Sequence, residues 1–110
     1  MYVARWSFAT QFGKTEDCIT LLRKWAVDVG ERSGWKIGSI RLLGSVIGGS
    51  DSALELEGHF ESLNEIESAW DDMHRAHYQR EYMQMLQGII VPGTSRWTVL
   101  RIVDLAAQTK

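Results

Sequence analysis

The chain has 110 residues, which fits one domain and leaves no room for two ordinary ones, so we expect residues 1–110 to form a single domain. The net charge of −2 and the 24% of charged residues argue against a nucleic-acid-binding protein, which normally carries a basic face, and against a polybasic membrane-surface segment. One cysteine, Cys18, excludes an intrachain disulfide, and no apolar stretch reaches the length of a membrane span, so we expect a cytoplasmic protein without membrane or nucleic-acid partners.

The first third of the chain predicts a strand followed by a helix. Residues 2 to 10 alternate in hydrophobicity, which indicates a strand with one strongly apolar face. Apolar residues then recur at helical spacing from Cys18 to Val29, behind Thr15 as the predicted N-cap. Gly34 follows this stretch, and a glycine at that position can end the helix in a left-handed conformation.

The middle of the chain predicts a hairpin and a long helical region. Residues 37–46 and 53–60 have the pattern of two strands joined by a glycine-rich turn. Ser62 and Glu65 then form a capping-box pattern that begins the next helix. This second helical region is long, and we expect a break in it near residues 76–79.

The last predicted element is a strand at residues 96–103, after a turn that contains the only proline, Pro92. The complete order is β-α-β-β-α-β. This order predicts an α+β fold of the ferredoxin-like type, in which both helices cover one face of an antiparallel sheet. The other face of such a sheet is open to solvent in a lone domain.

Alternation along the strands assigns the side chains to the two faces. The face beneath the helices is predicted to consist of Trp6, Phe8, Ile40, Leu42, Leu54, Leu56, Phe60, Leu100 and Ile102. The open face is predicted to consist of Val3, Arg5, Ser7, Ser39, Arg41, Leu43, Glu55, Glu57, His59, Trp97, Val99, Arg101 and Val103. Large apolar residues suit a solvated surface poorly, so we favour a homodimer in which two open faces meet. A solvated charged face and an anion site formed by the arginines are the alternatives.

Four sequence features resemble the dimeric α/β barrel superfamily: the order of elements, the strand "ALELEGHF" running into "FESLNEIESAW", the "MHRAH" segment and the closing "GTSRWTVLRIV". That superfamily includes antibiotic-biosynthesis-type monooxygenases, NIPSNAP-like proteins, haem-degrading enzymes and polyketide cyclases. The resemblance covers nearly the whole chain. It implies a homodimer joined through the sheet faces, with a cleft in each subunit between the sheet and the helices.

The resemblance also implies a catalytic histidine. In the cyclase-like members, a histidine at the end of an H-x-x-H-like segment faces the cleft and acts as general base, and the segment from His74 to His77 is similar. The spacing places His77 on one helix face with Trp70 and Met73, where a neutral imidazole can accept a proton. The alternative is a core histidine satisfied by a backbone carbonyl. Haem-degrading enzymes fit less well, because the asparagine expected on the first strand is absent.

The candidate substrate site lies between the sheet and the second helical region. Its predicted lining is Trp6, Phe8, Leu42, Leu56, Trp70, Met73 and Tyr78. Trp70 is suited to stacking on a planar ligand, and equally to filling the core. His74 and His77 are close enough in sequence to share one metal ion, but no third ligand clusters with them, so we expect no metal and no cofactor.

These observations predict a small-molecule-binding protein with the chemistry of a cofactor-independent monooxygenase or cyclase, acting on an aromatic or polyketide-like compound with His77 as general base. Two other classes stay open, because fold alone does not decide function. One is a module that binds a small ligand without turnover. The other is a structural dimer with a filled cleft, in which Trp70 and Met73 pack directly on Phe8 and Leu56 and leave no void.

Overall fold

The computed structural model describes residues 1–76 and 78–106 and has the predicted α+β fold. The strands and α-helices are β1 (Tyr2–Ala9), α1 (Thr15–Trp25), β2 (Arg41–Gly44), β3 (Ala53–Phe60), α2 (Leu63–Arg75), α3 (Gln79–Gln87) and β4 (Arg96–Arg101). A π-helical turn (Ala26–Gly30) and a 3₁₀ turn (Glu31–Ser33) continue α1, and another 3₁₀ turn (Ile37–Ser39) precedes β2. No helix in the described part of the chain is long and apolar enough to cross a membrane.

The strands form one four-stranded antiparallel sheet in the order β2-β3-β1-β4. The two central strands, β1 and β3, pair along their whole length, so that Trp6 lies opposite Leu56. β2 pairs with the outer side of β3, and β4 pairs with the outer side of β1. This order and these directions are those of a ferredoxin-like sheet, so the predicted topology is confirmed.

The helices cover the face of the sheet that carries Trp6, Phe8 and Leu56. Their buried residues are Cys18, Leu22, Trp25, Ile66, Ala69, Met73, Tyr82 and Leu86. Cys18 is fully buried, and burial raises the pKa of its thiol to about 11. Burial, together with a 2.5 Å hydrogen bond that the Tyr82 hydroxyl donates to Asp28, raises the pKa of Tyr82 to about 12. Both groups are therefore uncharged at neutral pH.

The first helical region begins one residue earlier than predicted. Its N-cap is Lys14, without a side-chain cap, so the prediction of Thr15 as N-cap is wrong. The Thr15 hydroxyl instead lies 2.8 Å from the hydroxyl of Thr10, which ties the helix start to the end of β1. At the other end, Gly34 has φ of 87°, the left-handed conformation that was predicted for it.

The second helical region begins at the predicted N-cap, Ser62, and is divided as predicted, but the predicted return contact of Glu65 with the Ser62 N–H is wrong. The Ser62 side chain accepts a hydrogen bond from the Glu65 backbone N–H at 3.2 Å. The Glu65 carboxylate accepts from the backbone N–H of Glu61, one residue before the position that a capping box requires. α2 ends at Arg75 because the next residue, Ala76, has an extended backbone, and α3 begins at Gln79.

The face assignment for β4 is wrong. Trp97 pairs with Trp6 and Val99 pairs with Ala4, so Trp97, Val99 and Arg101 lie on the face beneath the helices. Leu100 pairs with Val3 and lies on the open face instead. Both alternating sets of this strand contain large apolar residues, so its pattern does not indicate a face. The pairing register with β1 decides it.

The open face has a charged cluster on β1, β2 and β3. The carboxylate of Glu57 is fully buried between two guanidinium groups: Arg5 lies at 3.0 Å, and Arg41 contacts the other carboxylate oxygen. Burial alone would raise the pKa of Glu57, but the hydrogen bonds and positive charges of both arginines outweigh it and lower the pKa. Next to this cluster, Ser7 donates a 3.0 Å hydrogen bond to Glu55. The predicted placement of these arginines and glutamates on the open face is confirmed.

Candidate functional site: the tryptophan cleft

All five tryptophans of the chain belong to one connected aromatic cluster between the sheet and the helices. Trp6 and Trp97, neighbours on β1 and β4, have nearly parallel rings 5.7 Å apart. Trp70 of α2 stands edge-on to Trp97 at 4.6 Å. Sheet and helix therefore contribute to a single aromatic wall.

Trp35 lies at the centre of this cluster and is 1% exposed. Its ring is 5.4 Å from the rings of both Trp25 and Trp70 and 6.0 Å from that of Trp97. The ring fits because β3 has a glycine beneath it: a Cβ on Gly58 would lie 2.6 Å from two carbons of the indole. The indole N–H has no hydrogen-bond partner among the described residues, so packing alone holds this ring in place.

A cavity of about 520 Å³ opens beside this cluster, and we call it the tryptophan cleft. Four indoles line it, those of Trp6, Trp25, Trp70 and Trp97. Two of their N–H groups are already used within the protein: Trp6 donates to Ser95 at 2.6 Å, and Trp25 donates to Gln79 at 2.9 Å. These bonds fix the two rings and leave mainly π-faces and ring edges toward the cavity.

Aliphatic and thioether side chains complete the apolar lining of the cleft. Leu22, Leu56, Met73 and Met83 contribute from α1, β3, α2 and α3 respectively. Methionine side chains adapt to ligands of varied shape. Trp70, Met73 and Leu56 all border the void, whereas the purely structural alternative predicts no void between them.

The polar lining residues of the cleft are His74, Gln79 and Arg80. The Nδ1 atom of His74 lies 2.7 Å from the backbone carbonyl of Trp70, and a carbonyl only accepts, so Nδ1 carries the proton. In the neutral ring the Nε2 atom then keeps its lone pair and can accept a proton or a hydrogen bond from a ligand. Among the described residues, the cleft therefore combines an aromatic wall with the imidazole of His74 and the permanent positive charge of Arg80.

The predicted lining residues fall into two groups. Trp6, Leu56, Trp70 and Met73 line the tryptophan cleft. Phe8, Leu42 and Tyr78 do not line it.

Each of the other three has a different position. Phe8 is buried in the core with its ring 4.4 Å from that of Trp6. Leu42 lines a neighbouring cavity of about 400 Å³ between α1 and β2. Tyr78 lines a separate polar cavity with Asp28 and Arg75. The predicted general base, His77, lies outside the described residues.

Sequence reasoning placed Leu22 and Trp25 on the buried side of the first helix and missed them as lining residues of the cleft. It also missed Trp97, Met83, Gln79 and Arg80. Trp97 was missed because β4 was assigned to the wrong face. The other three belong to α3, whose direction after the break at Ala76 does not follow from helical spacing within α2. His74 was considered only as a metal ligand. Within the described residues, no three His, Cys, Asp or Glu side chains lie close enough together to hold a metal ion.

No protein-family model matches the chain, and no curated protein matches it. Solved structures do match. A NIPSNAP family protein from Agrobacterium tumefaciens superposes with a TM-score of 0.76 at 15% identity, over 94% of each chain. A NIPSNAP-like domain protein from Burkholderia xenovorans gives a TM-score of 0.77 at 10% identity, over 94% of this chain and 86% of that one. This chain has the fold of the NIPSNAP proteins.

A third similar structure is a candidate antibiotic biosynthesis monooxygenase from Bordetella bronchiseptica. It has a TM-score of 0.72 at 12% identity, over 94% of this chain and 98% of that one. The resemblance to the superfamily that contains NIPSNAP-like proteins and these monooxygenases is thus confirmed for the fold. One fold supports many activities, so the chemistry of the cleft and not the fold decides the function.

Proposed function

We propose that the chain binds a planar aromatic small molecule in the tryptophan cleft. The observation that carries this proposal is a cavity of about 520 Å³ with four indoles in its lining. Ligand sites of small molecules typically measure about 300–1,000 Å³, with apolar and aromatic walls and few polar groups. A flat ring system gains both apolar burial and stacking against indoles.

The reaction that we propose begins with proton abstraction from a phenol or an enolisable carbonyl. The resulting anion either cyclises or reacts with dioxygen, which is the oxidant and leaves one oxygen atom in the product and the other in water. The resemblance to monooxygenases and cyclases supports this reaction class, and it makes His77 the proposed general base. His74 is a second base in the same segment, since its Nδ1 proton is held by the Trp70 carbonyl. Proton transfer to a positioned imidazole typically contributes about 10²–10⁴-fold to a rate.

Binding is tested by filling the cleft from α3. Met83 lines the cleft, whereas Met85 is 47% exposed and does not. Isothermal titration calorimetry with two-ring phenols such as 2-naphthol should give binding to the wild type and to Met85→Trp. Met83→Trp should weaken binding at least tenfold, because the larger ring occupies the ligand volume. Equal affinities for the two variants would contradict the cleft as binding site.

Catalysis is tested separately from binding. Wild type, His77→Ala and His74→Ala are incubated in air with phenolic compounds that bind, and consumption of each compound is followed by chromatography. Loss of turnover with retained binding in His77→Ala supports the proposed base, and the same result in His74→Ala alone would transfer that role to His74. Binding without turnover by the wild type would favour the non-catalytic binding module.

We also propose that residues 1–110 form a single cytoplasmic domain that dimerises through the open face of the sheet. Leu43 and Leu100 lie on this face and are 36% and 43% exposed. The carboxylate of Glu57 is already neutralised there by Arg5 and Arg41. A second copy would bury the exposed leucines without leaving that carboxylate unpaired.

A further inference from the structure

We propose that the ligand of the tryptophan cleft is an aromatic acid, whose carboxylate is bound by Arg80 while its rings lie against the indoles. This inference rests on the proposed function, because it specifies the ligand of the same cleft. It adds the requirement that the ligand carry a negative charge, which an apolar cavity alone would not impose.

Arg80 is the charged lining residue of the cleft, and it has no ion-pair partner within the described part of the chain. It lies in the first turn of α3 and lines the cleft with Gln79 and His74. The positions three and four residues away hold alanine, histidine, methionine and glutamine, so its own helix offers it no carboxylate at helical spacing.

The charge around the cleft is one-sided. The described residues that line it include Arg80 and no aspartate or glutamate. The nearest comparable arginine on α2, Arg75, lies 3.9 Å from Asp72 and lines a different cavity. A cationic ligand would therefore meet repulsion and no counter-charge in the cleft, whereas an anionic ligand would meet an available guanidinium.

The chemistry of the guanidinium selects a carboxylate. Its planar N–H donors match the two oxygens of a carboxylate in a bidentate pair. The apolar lining next to Arg80 keeps water from one side of such a pair, which strengthens the charge interaction relative to bulk water. An aromatic acid satisfies both requirements at once, with rings for the indole walls and a carboxylate for the polar rim.

Three matched naphthalenes test the inference by isothermal titration calorimetry at pH 8. 2-Naphthoate carries the carboxylate, 2-naphthamide has the same shape without charge, and 2-naphthylmethylamine is cationic. The wild type should bind the naphthoate at least tenfold more tightly than the amide and the amine most weakly. The naphthoate preference should shrink when the salt concentration is raised from 0.05 M to 0.5 M.

Two arginine variants locate the source of this preference. Arg80→Met keeps the apolar stem and removes the charge, so it should bring the affinities for naphthoate and naphthamide to within twofold of each other. Arg75→Met removes the same charge from the neighbouring helix and should keep the tenfold preference. Both arginines are exposed, so neither variant should disturb folding.

The outcomes separate this inference from the proposed function. Equal binding of naphthoate and naphthamide by the wild type would overturn the inference while the aromatic site stands. A preference that survives in Arg80→Met, or that falls equally in Arg75→Met, would also overturn it, because general surface charge would then be the cause. If none of the three compounds binds, both the inference and the aromatic site are wrong.

Discussion

Glycine at position 58 and tryptophan at position 35 are a matched pair. The indole lies directly over the backbone of β3, and a Cβ on Gly58 would approach its ring carbons to 2.6 Å. Protein interiors are close-packed and cannot accommodate two carbon atoms at this distance. The position of Trp35 therefore depends on the absence of a side chain at Gly58. The arrangement of Trp25, Trp70 and Trp97 depends on it through their contacts with Trp35.

Gly58→Ala should lower the free energy of unfolding by about 1–3 kcal/mol, because the added methyl group forces Trp35 or the strand to move. Urea unfolding followed by fluorescence measures the change. Gly88→Ala is the matched control, since a Cβ there meets nothing within 4 Å and its φ of −83° suits alanine. Similar unfolding midpoints for the two variants would show that Trp35 is not held where the structure has it.

Glu57 is the second residue whose surroundings decide its role. Its carboxylate is buried, and both of its oxygens are used by arginines from the neighbouring strands. Removing one member of such a buried group leaves the others uncompensated. The cluster therefore ties β2, β3 and β1 together across the open face.

Glu57→Gln should lower the free energy of unfolding at pH 7 by about 2–3 kcal/mol, below the usual cost for a fully buried pair because Arg41 is largely in water. The folded-state pKa of Glu57 is lowered, so its contribution is complete above the ordinary glutamate pKa of about 4.3 and is lost as the pH falls through the folded-state value. Urea unfolding at several pH values should show the gap between wild type and variant closing below about pH 4.

Glu55→Gln provides the control for this pH dependence. Glu55 lies on the same strand and face, but its side-chain partner is the uncharged Ser7. Its substitution should cost about 1 kcal/mol or less. If Glu55→Gln and Glu57→Gln lost equal stability and the same pH dependence, the paired arginines would not be the cause.

At the scale of elements, the sequence predicts most of the fold because its local signals agree with one another. Strand β3 has the predicted bounds, and the Ser62 cap and the break after Arg75 are where the spacing placed them. The π-helical turn after Trp25 cannot be predicted from α-helical spacing, since a π-helical turn changes the period at which apolar residues recur. The face of β4 and the direction of α3 depend on tertiary pairing, so half of the cleft, including Trp97 and Arg80, does not follow from the sequence.

Ser62→Ala should lower the free energy of unfolding by about 1 kcal/mol, because the N–H of Glu65 loses the side-chain oxygen that accepts its hydrogen bond. Thermal or urea unfolding measures the loss. Ser68→Ala, at an exposed position inside the same helix, should be neutral or slightly stabilising, since alanine is the better helix former. A larger loss in Ser68→Ala than in Ser62→Ala would contradict the cap.

At the scale of the whole molecule, the two faces of the sheet differ in how far they are covered. The helices bury the face with Trp6 and Leu56, whereas Leu43 and Leu100 on the open face are 36% and 43% exposed. Exposed apolar residues on one face of a sheet favour association with another chain. The proposed dimer uses this surface.

Leu100→Glu should convert the proposed dimer to a monomer, or weaken it at least tenfold, because it places a charge in the apolar part of the interface. Sedimentation equilibrium over a range of concentrations measures the assembly. Leu63→Glu is the control: Leu63 is 55% exposed at the start of α2, on the helix layer behind the sheet. A monomeric wild type, or dimers that tolerate Leu100→Glu, would refute association through this face.

The buried thiol of Cys18 can report how often helix α1 separates from the sheet. It is the only cysteine, it lies on the buried side of α1, and its raised pKa keeps the thiol in the unreactive protonated form while it is enclosed. A thiol reagent can therefore react only when α1 lifts from the sheet, so the labelling rate reports how often that happens. Leu22, on the same helix, lines the cleft. A bound ligand that contacts both helix and sheet should therefore lower the labelling rate of Cys18, and no engineered label is needed to measure it.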